Sequence, residues 1–425
     1  MRILIATDAF PPLCGGSGWS TYELAKGLRA RGHDLFVVRP RVGSGKPGVH
    51  ARSGPAEHDG FRPIEFGAWA PPVPFVHNYF RNERLYRHVE TFLADFIRRN
   101  AIDIVHAQHL LTSPPSIAAA RSVGVPVVCT IRDCWPVCYW SDLIHDRDVD
   151  TLCPGCSAAL MTRCVRPHSG PLWPLALPFI PYMRANLSLK RERLALADVV
   201  VAVSGAIARD LRARAPELRA TRIETIPNPV DIAGIRAQAE RGARPIADRY
   251  ATYVGKLEPN KGVAKLLVAA DRARLDWPLV VVGDGSERSR LEAAARRSGR
   301  DVRFTGWRPR EEVLTWLQHT ELLIFPSHWP ESLSRVLLEA SALGAPIAAM
   351  DTGGTSDIII HGETGLLSRS AEALGDDVAR LRHDAPLRAR LGRAASQRIE
   401  RLFDATVVVD RIEALYRELA GSRAT

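Results

Sequence analysis

No stretch of this 425-residue sequence reaches the roughly 18 to 20 consecutive apolar residues that cross a bilayer, so any membrane contact is expected to be peripheral. Acidic side chains are the minority. Lys and Arg number 57 against 47 Asp and Glu, a formal charge of +10, which favours phosphate-bearing partners, although an Arg-rich surface accounts for the same excess. Cysteine is scarce outside one window that holds Cys129, Cys134, Cys138, Cys153, Cys156 and Cys164. In a reducing compartment such crowding points away from disulfides and towards a metal site or a loop packed around thiols. The opening Met1-Arg-Ile-Leu-Ile-Ala-Thr-Asp8 is too short an apolar run for a signal-peptide core, and it reads as a first strand in a cytoplasmic protein. The dinucleotide pattern G-x-G-x-x-G is missing after that strand, which weakens a nicotinamide reading. Also missing is any nucleic-acid-binding motif with interleaved aromatics, so no nucleic-acid partner is expected.

What is present describes a soluble globular chain, 46% apolar and 24% charged, long enough for two α/β domains. Short β-branched runs alternate with helical patterns, the signature of parallel sheets with crossover helices. In the first half, strands are expected at Arg2–Thr7, Leu35–Val38, Asp103–His106, Val125–Thr130 and Asp198–Ser204, with a first helix over Ser20–Arg31. A second series follows at Tyr250–Gly255, Leu279–Gly283, Val302–Phe304, Glu321–Phe325 and Pro346–Ala349. The expected architecture is α/β, two Rossmann-like domains facing across a cleft. Residues 1–228 form the first domain with a Cys-rich loop at 134–164, residues 229–246 an Arg- and Ala-rich linker, and residues 247–400 the second domain. Residues 401–425 are a helix packing back towards the first domain.

Three segments carry chemistry. Glu331-Ser-Leu-Ser-Arg-Val-Leu-Leu-Glu339 places one carboxylate in a loop and a second in the following helix. The backbone N–H groups that open such a helix are unpaired and electropositive, which suits phosphate. Gly255-Lys256-Leu-Glu-Pro-Asn-Lys261-Gly262 follows a strand and opens a helix, so both lysines are candidates to offset the growing charge of a diphosphate leaving group. The run from Phe10 to Gly18 contains Gly15, Gly16 and Gly18, and glycines there permit close backbone approach to a phosphate or sugar.

Taken in order, these motifs resemble glycosyltransferase family 4, retaining enzymes with the two-Rossmann GT-B fold. The likeness also uses Arg31-Gly32-His33, Asp103-Ile-Val-His106, Val201-Ala-Val-Ser204, Ile226-Pro-Asn228, Gly283-Asp-Gly285, Phe304-Thr-Gly306, Phe325-Pro-Ser327, Gly353-Gly354 and Gly362-Glu-Thr-Gly365. The resemblance implies a UDP- or GDP-sugar as substrate and no required cofactor or metal. It implies that Lys256 and Lys261 hold the donor diphosphate, with backbone amides at Leu333, Ser334 and Arg335. Glu331 would contact the transferred sugar, Glu339 the ribose hydroxyls, and Gly16 the diphosphate from the other domain. Retention in this family is expected to proceed on the front face, the leaving phosphate helping to deprotonate the acceptor.

The chain departs from the pattern at Arg132-Asp133, where relatives carry His-Asp. Arg132 and Asp133 are taken with Glu331 as the catalytic set, Arg132 as a permanent cation rather than a base. Gln108 stands where His is frequent, Ser334 where Gly is usual, and Asp357 where Glu is common. Cys138, Cys153, Cys156 and Cys164 have the local form of a zinc set, with free thiols or a redox pair as the favoured alternative. The acceptor is expected to be a sugar, a lipid-linked saccharide or a small molecule. An apolar stretch from Pro171 to Met183, followed by Arg184, Lys190, Arg191 and Arg193, suggests peripheral contact with an anionic membrane surface. Its prolines argue against one continuous helix and for a loop feeding a basic helix. Two other readings stay open, a catalytically impaired nucleotide-sugar-binding protein and a nucleotide-sugar epimerase.

Overall fold

The computed structural model describes residues 1–12, 14–43, 50–53, 58–71, 76–144 and 152–421. Residues 145–151 of the Cys-rich loop, Leu13 and the last residues of the C-terminal segment, 422–425, lie outside them. The chain divides into two compact units, Met1–Pro229 with Val408–Thr425, and Val230–Val407.

Among the described residues the first unit holds eight strands: β1 (Arg2–Thr7), β2 (Asp34–Gly43), β3 (His50–Ser53), β4 (Ile64–Trp69), β5 (Ile104–Gln108), β6 (Val127–Ile131), β7 (Val199–Ala202) and β8 (Ile223–Thr225). They form one sheet in the order β3-β4-β2-β1-β5-β6-β7-β8, parallel except for β3. Strands β5, β6 and β7 are buried at every residue, as expected of a parallel sheet covered on both faces. The helix Gly16–Ala30 buries Tyr22, Leu24, Ala25 and Leu28, and the C-terminal helix Ala405–Gly421 adds Val408, Val409, Ile412, Leu415 and Tyr416 to the same core. Gly27 allows the close approach: a Cβ there would stand 2.6 Å from Val409 Cγ2.

The second unit holds β9 (Ala251–Val254), β10 (Leu279–Val282), β11 (Val302–Gly306), β12 (Leu322–Phe325), β13 (Ile347–Met350) and β14 (Leu366–Ser368), in the order β11-β10-β9-β12-β13-β14 with parallel pairings. The stretch read as a linker contains the helix Ile232–Glu240, capped by Asp231 through the Gly234 amide and burying Ile232, Ile235 and Ala239 in this unit.

The apolar stretch after the Cys window is not a loop. It is a relay of short helices, Gly170–Leu172, Trp173–Ala176 and Leu177–Phe179, leading into the helix Ile180–Leu194. A proline occupies the first or second position of each, where its missing N–H costs no hydrogen bond. No helix among the described residues is long and apolar enough to cross a membrane.

Candidate active site

In an open parallel sheet, ligands bind outside the carboxyl ends of the strands where the strand order reverses. The second sheet reverses between β9 and β12, and the two donor segments identified from sequence leave those two strands. After β9 the chain passes Gly255 and the exposed Lys256, makes a short turn at Pro259–Lys261 and enters the helix Val263–Arg272 through Gly262. Gly262 has φ +65°, and a Cβ would lie 2.0 Å from the carbonyl oxygen of Pro326, so the turn is pressed against the start of the β12 loop.

That loop carries Glu331. Its Oε1 accepts from Lys261 Nζ at 2.6 Å and from Ser327 Oγ at 2.7 Å. Its backbone is fixed as well, the Glu331 carbonyl accepting from Gly354 N at 2.6 Å, while Thr352 Oγ1 donates to the Ser327 carbonyl. Ser334 caps the helix Arg335–Ala342, accepting from Leu337 N, and Leu333 is buried. Lys256 makes no charged contact among the described residues, whereas Lys261 is paired. The two lysines therefore differ in kind.

Glu339 stands on the same helix, almost wholly buried. Its Oε1 accepts from Arg335 Nε and Arg310 Nε, each at 3.0 Å. Arg310 opens the helix Arg310–Gln318 and was not singled out from sequence. The carboxylate expected to meet a ribose is thus held by two guanidinium groups from two helices.

In the first unit, the order reverses between β1 and β5. Gly16 is the first residue of an exposed helix start, with Gly15 as an N-cap that offers no side chain. Arg132 and Asp133 follow β6. Arg132 is buried, its Nε donating to Asn228 Oδ1 at 2.8 Å and its Nη1 to Gln108 Oε1. Burial brings its pKa down to about 10, so it keeps its charge at neutral pH. Gln108 Oε1 also accepts from Thr21 Oγ1 at 2.8 Å. Burial pushes Asp133 up to about 6, opposed by the Trp135 amide and the charges of Lys190 and Arg132. His106 is a core residue: Nε2 meets Thr130 Oγ1 at 2.6 Å, Nδ1 meets the Tyr416 hydroxyl, and burial lowers its pKa to about 3.

Two residues at this edge carried no sequence signal. Asp8, just past β1, accepts from the amides of Leu111 and Thr112 and from Thr112 Oγ1 at 2.8 to 2.9 Å. Burial, reinforced by Asp133, raises its pKa to about 6. His109, just past β5, has φ +147°, a backbone setting L side chains rarely adopt.

All seven cysteines are free thiols, and burial raises Cys156 to about 11 and Cys164 to about 12. Among the described residues no three or more His, Cys, Asp or Glu side chains are grouped to hold a metal ion.

Both units have counterparts among known proteins. The model of Glycosyltransferase Family 4 matches residues 14–233 and that of glycosyl transferases group 1 matches residues 236–398. A glycogen synthase of Mycobacterium tuberculosis is 28% identical over 100% of this chain and 95% of its own length. A GDP-mannose-dependent alpha-mannosyltransferase of the same species is 27% identical over 100% and 98%. Among solved structures, sucrose-phosphate synthase from Thermosynechococcus elongatus superposes with a TM-score of 0.68 at 19% identity, covering 99% of this chain and 100% of that one. Anabaena HepE in complex with UDP gives 0.66 at 17% identity, covering 98% and 100%. The chain belongs to Glycosyltransferase Family 4 and is a glycosyltransferase.

Proposed function

We propose that this glycosyltransferase moves a sugar from a UDP- or GDP-linked donor to an acceptor with retention of anomeric configuration, in glycan or glycoconjugate synthesis. The observation that carries the reading is the Lys261–Glu331–Ser327 group at the β9/β12 reversal of the second unit. A cation and a fixed carboxylate stand there beside a capped helix start. Lys256 and Lys261 take the diphosphate together with the amides of Leu333, Ser334 and Arg335, and fixed positive groups stabilise the departing charge without rearranging. Glu331 accepts from hydroxyls of the transferred sugar, and Glu339 exchanges part of its guanidinium pairing for the ribose. In the first unit, the helix start at Gly16 is open to a phosphate. Arg132 holds Gln108 and Asn228 in place, and Asp133 offers a carboxylate on the acceptor side. The HepE complex with UDP and the GDP-mannose-dependent relative support a nucleotide-linked donor. The reaction needs no protein nucleophile if the leaving phosphate takes the acceptor proton. Isothermal titration with UDP-glucose, GDP-mannose and ADP-glucose tests it: saturable binding lost in Lys261→Ala is the expected result, and no binding of any of them overturns it.

A lipid-linked acceptor at an anionic membrane surface has its own support. Leu172 and Leu175 are 67% and 69% exposed, with Phe179 beside them, and no Asp or Glu occurs between Asp150 and Glu192. Exposed Arg163, Arg166 and Arg184 flank them, a pairing of apolar and basic groups that suits anionic headgroups. Flotation with phosphatidylglycerol vesicles, lost in Leu172→Ser with Leu175→Ser, is the expected behaviour; a wild type that stays in the soluble fraction at low salt points to a water-soluble acceptor.

A further inference from the structure

The segment Cys153-Pro-Gly-Cys156 lies outside the donor site described above, yet it presents one reachable sulfur. Of the seven thiols only Cys14 and Cys156 are partly exposed, the other five being buried. Three of the buried ones are turned inward on acceptors. Cys138 faces Asp142 Oδ1 at 4.0 Å, Cys153 the Gly155 carbonyl at 3.0 Å and Cys164 the Met161 carbonyl at 3.4 Å. Cys156 instead lines a cavity of about 310 Å³, with Met161 from the helix Ala158–Ser169, Arg184, Leu187, Ser188 and Arg191 from the helix Ile180–Leu194, and Glu217 from the turn Pro216–Leu218.

The lining beside that sulfur carries two cations and one carboxylate. Arg184 is exposed, while Arg191 is held by its Nε donating to the Pro136 carbonyl at 2.6 Å, with Nη1 3.8 Å from Glu217 Oε2. Glu217 Oε1 accepts from Ser188 Oγ at 3.3 Å, whereas Oε2 is buried and accepts no hydrogen bond. A buried acceptor left open in this way is completed by a donor from a ligand or water. A ligand matching the whole lining carries carboxylates for the guanidinium groups and an N–H donor for Glu217. Amino-acid and peptide disulfides such as glutathione disulfide have these groups, and their central bond reacts with thiols. Cys153 stands three positions before Cys156, the C-x-x-C spacing of dithiols that close on each other.

We propose that Cys156 and Cys153 form a thiol–disulfide exchange site for small disulfides that carry carboxylate and ammonium groups. The Cys156 sulfur, as thiolate, attacks one sulfur of the ligand. A protein–ligand S–S bond forms, the ligand's own S–S bond breaks, and the released thiolate takes up the proton that Cys156 gave. Cys153, as thiolate, then attacks the Cys156 sulfur, which closes the Cys153–Cys156 bond and releases the second half of the ligand as a thiol in the same way. Two protein thiols are oxidised and one disulfide is reduced to two thiols, with no other oxidant. Burial and the neighbouring Cys138 and Cys153 push the Cys156 thiol up to about 11, against the Tyr139 amide and the charge of Arg191. Attack is therefore slow, on the scale of minutes to hours, and a sulfur that resists ionisation is also a poor leaving group, which keeps the finished bond closed.

The test uses the full, reduced chain with glutathione disulfide, and with cystamine as a disulfide that bears ammonium groups but no carboxylate. Non-reducing peptide mapping by mass spectrometry reads where each sulfur ends. With glutathione disulfide the wild type yields the Cys153–Cys156 bond, Cys153→Ser stops at a mixed disulfide on Cys156, and Cys156→Ser gains nothing at Cys153. The rate at Cys156, divided by its rate in the urea-unfolded chain, is about tenfold higher for glutathione disulfide than for cystamine, and Arg184→Glu removes that preference. A wild type in which Cys156 stays unmodified, stops at the mixed disulfide or pairs with another cysteine overturns the proposal. So does a folded chain that treats the two reagents as the unfolded chain does. The wild-type map and the reagent ratio decide the matter even if the Cys153→Ser chain fails to fold.

Discussion

Lys261 Nζ lies 2.6 Å from Glu331 Oε1, joining the turn after β9 to the loop after β12. The pair is partly exposed, so its worth to folding is small, but it fixes the direction of the one carboxylate in that loop. Lys261→Ala removes a cation and also releases Glu331 to Ser327 alone, whereas Lys256→Ala removes only an exposed cation. The expected result is a fall in kcat of about 10² to 10³ for Lys261→Ala and a smaller one for Lys256→Ala, with unfolding curves unchanged. Steady-state kinetics of both variants checks this. Equal, near-normal turnover contradicts the distinction.

Glu339 has the opposite character. It is buried with Arg310 and Arg335 converging on one oxygen, so removing its carboxylate takes away an acceptor that two guanidinium groups share. Glu339→Ala is expected to destabilise the second unit by about 3 to 5 kcal/mol, the usual consequence of breaking a buried pair on one side. Urea denaturation measures it, and a loss confined to nucleotide affinity at full stability shows instead that Glu339 serves the ligand alone.

The strands were legible because parallel strands are continuous apolar runs, and Arg2–Thr7 appears in the fold with the bounds read from sequence. Where the reading failed, local signals competed. Ile232–Glu240 carries Gly234 and a weak apolar stripe, so its helix depends on burying Ile232 and Ile235 rather than on propensity. The prolines from 171 to 181 were taken as breakers but act as helix starters. Lys256, Lys261 and Glu331 were visible because their motifs are contiguous. Arg310, Asp8 and His109 were not, since their roles come from partners far along the chain: Asp8 meets Leu111 and Thr112 only because β1 and β5 pair in register.

The first unit should show opposing pH dependences. Asp8 and Asp133 titrate near 6 in the folded chain against 3.8 for an ordinary Asp, so the folded state holds their protons more tightly. Their contribution makes the fold more stable as pH falls from about 6 to 4. At roughly 1.4 kcal/mol per pH unit the gap amounts to at most about 3 kcal/mol each, less for the solvent access both retain. His106 and His109 titrate near 3 against 6.5, so the unfolded state takes up their protons first and stability is lost as pH falls from about 6.5 to 3. The two slopes offset each other between pH 6 and 4. Asp133→Asn removes one stabilising slope, and its unfolding free energy should fall with acid more steeply than that of the wild type. Urea titrations across that window decide it, and parallel curves would falsify the assignment.

Gly353 and Gly362 separate backbone strain from steric displacement at Glu331. Both have positive φ, +52° and +77°, so an alanine at either position meets a similar left-handed penalty of about 1 to 2 kcal/mol. They differ in what a side chain would touch. At Gly362 an added Cβ meets nothing within 4 Å, while at Gly353 it would stand 2.3 Å from the Glu331 carbonyl oxygen and 2.7 Å from its amide nitrogen. Those are rigid backbone atoms, and the same carbonyl accepts the Gly354 amide, so Gly353→Ala must move the loop that presents the Glu331 carboxylate. Gly362→Ala is therefore expected to lower the melting temperature with transfer intact, and Gly353→Ala to lower it at least as much and reduce kcat by about tenfold or more, since an ångström of misplacement is costly at a reacting centre. Melting curves and initial rates on the two variants give the comparison, and a Gly353→Ala enzyme with the kcat of Gly362→Ala shows that the position of Glu331 does not limit transfer.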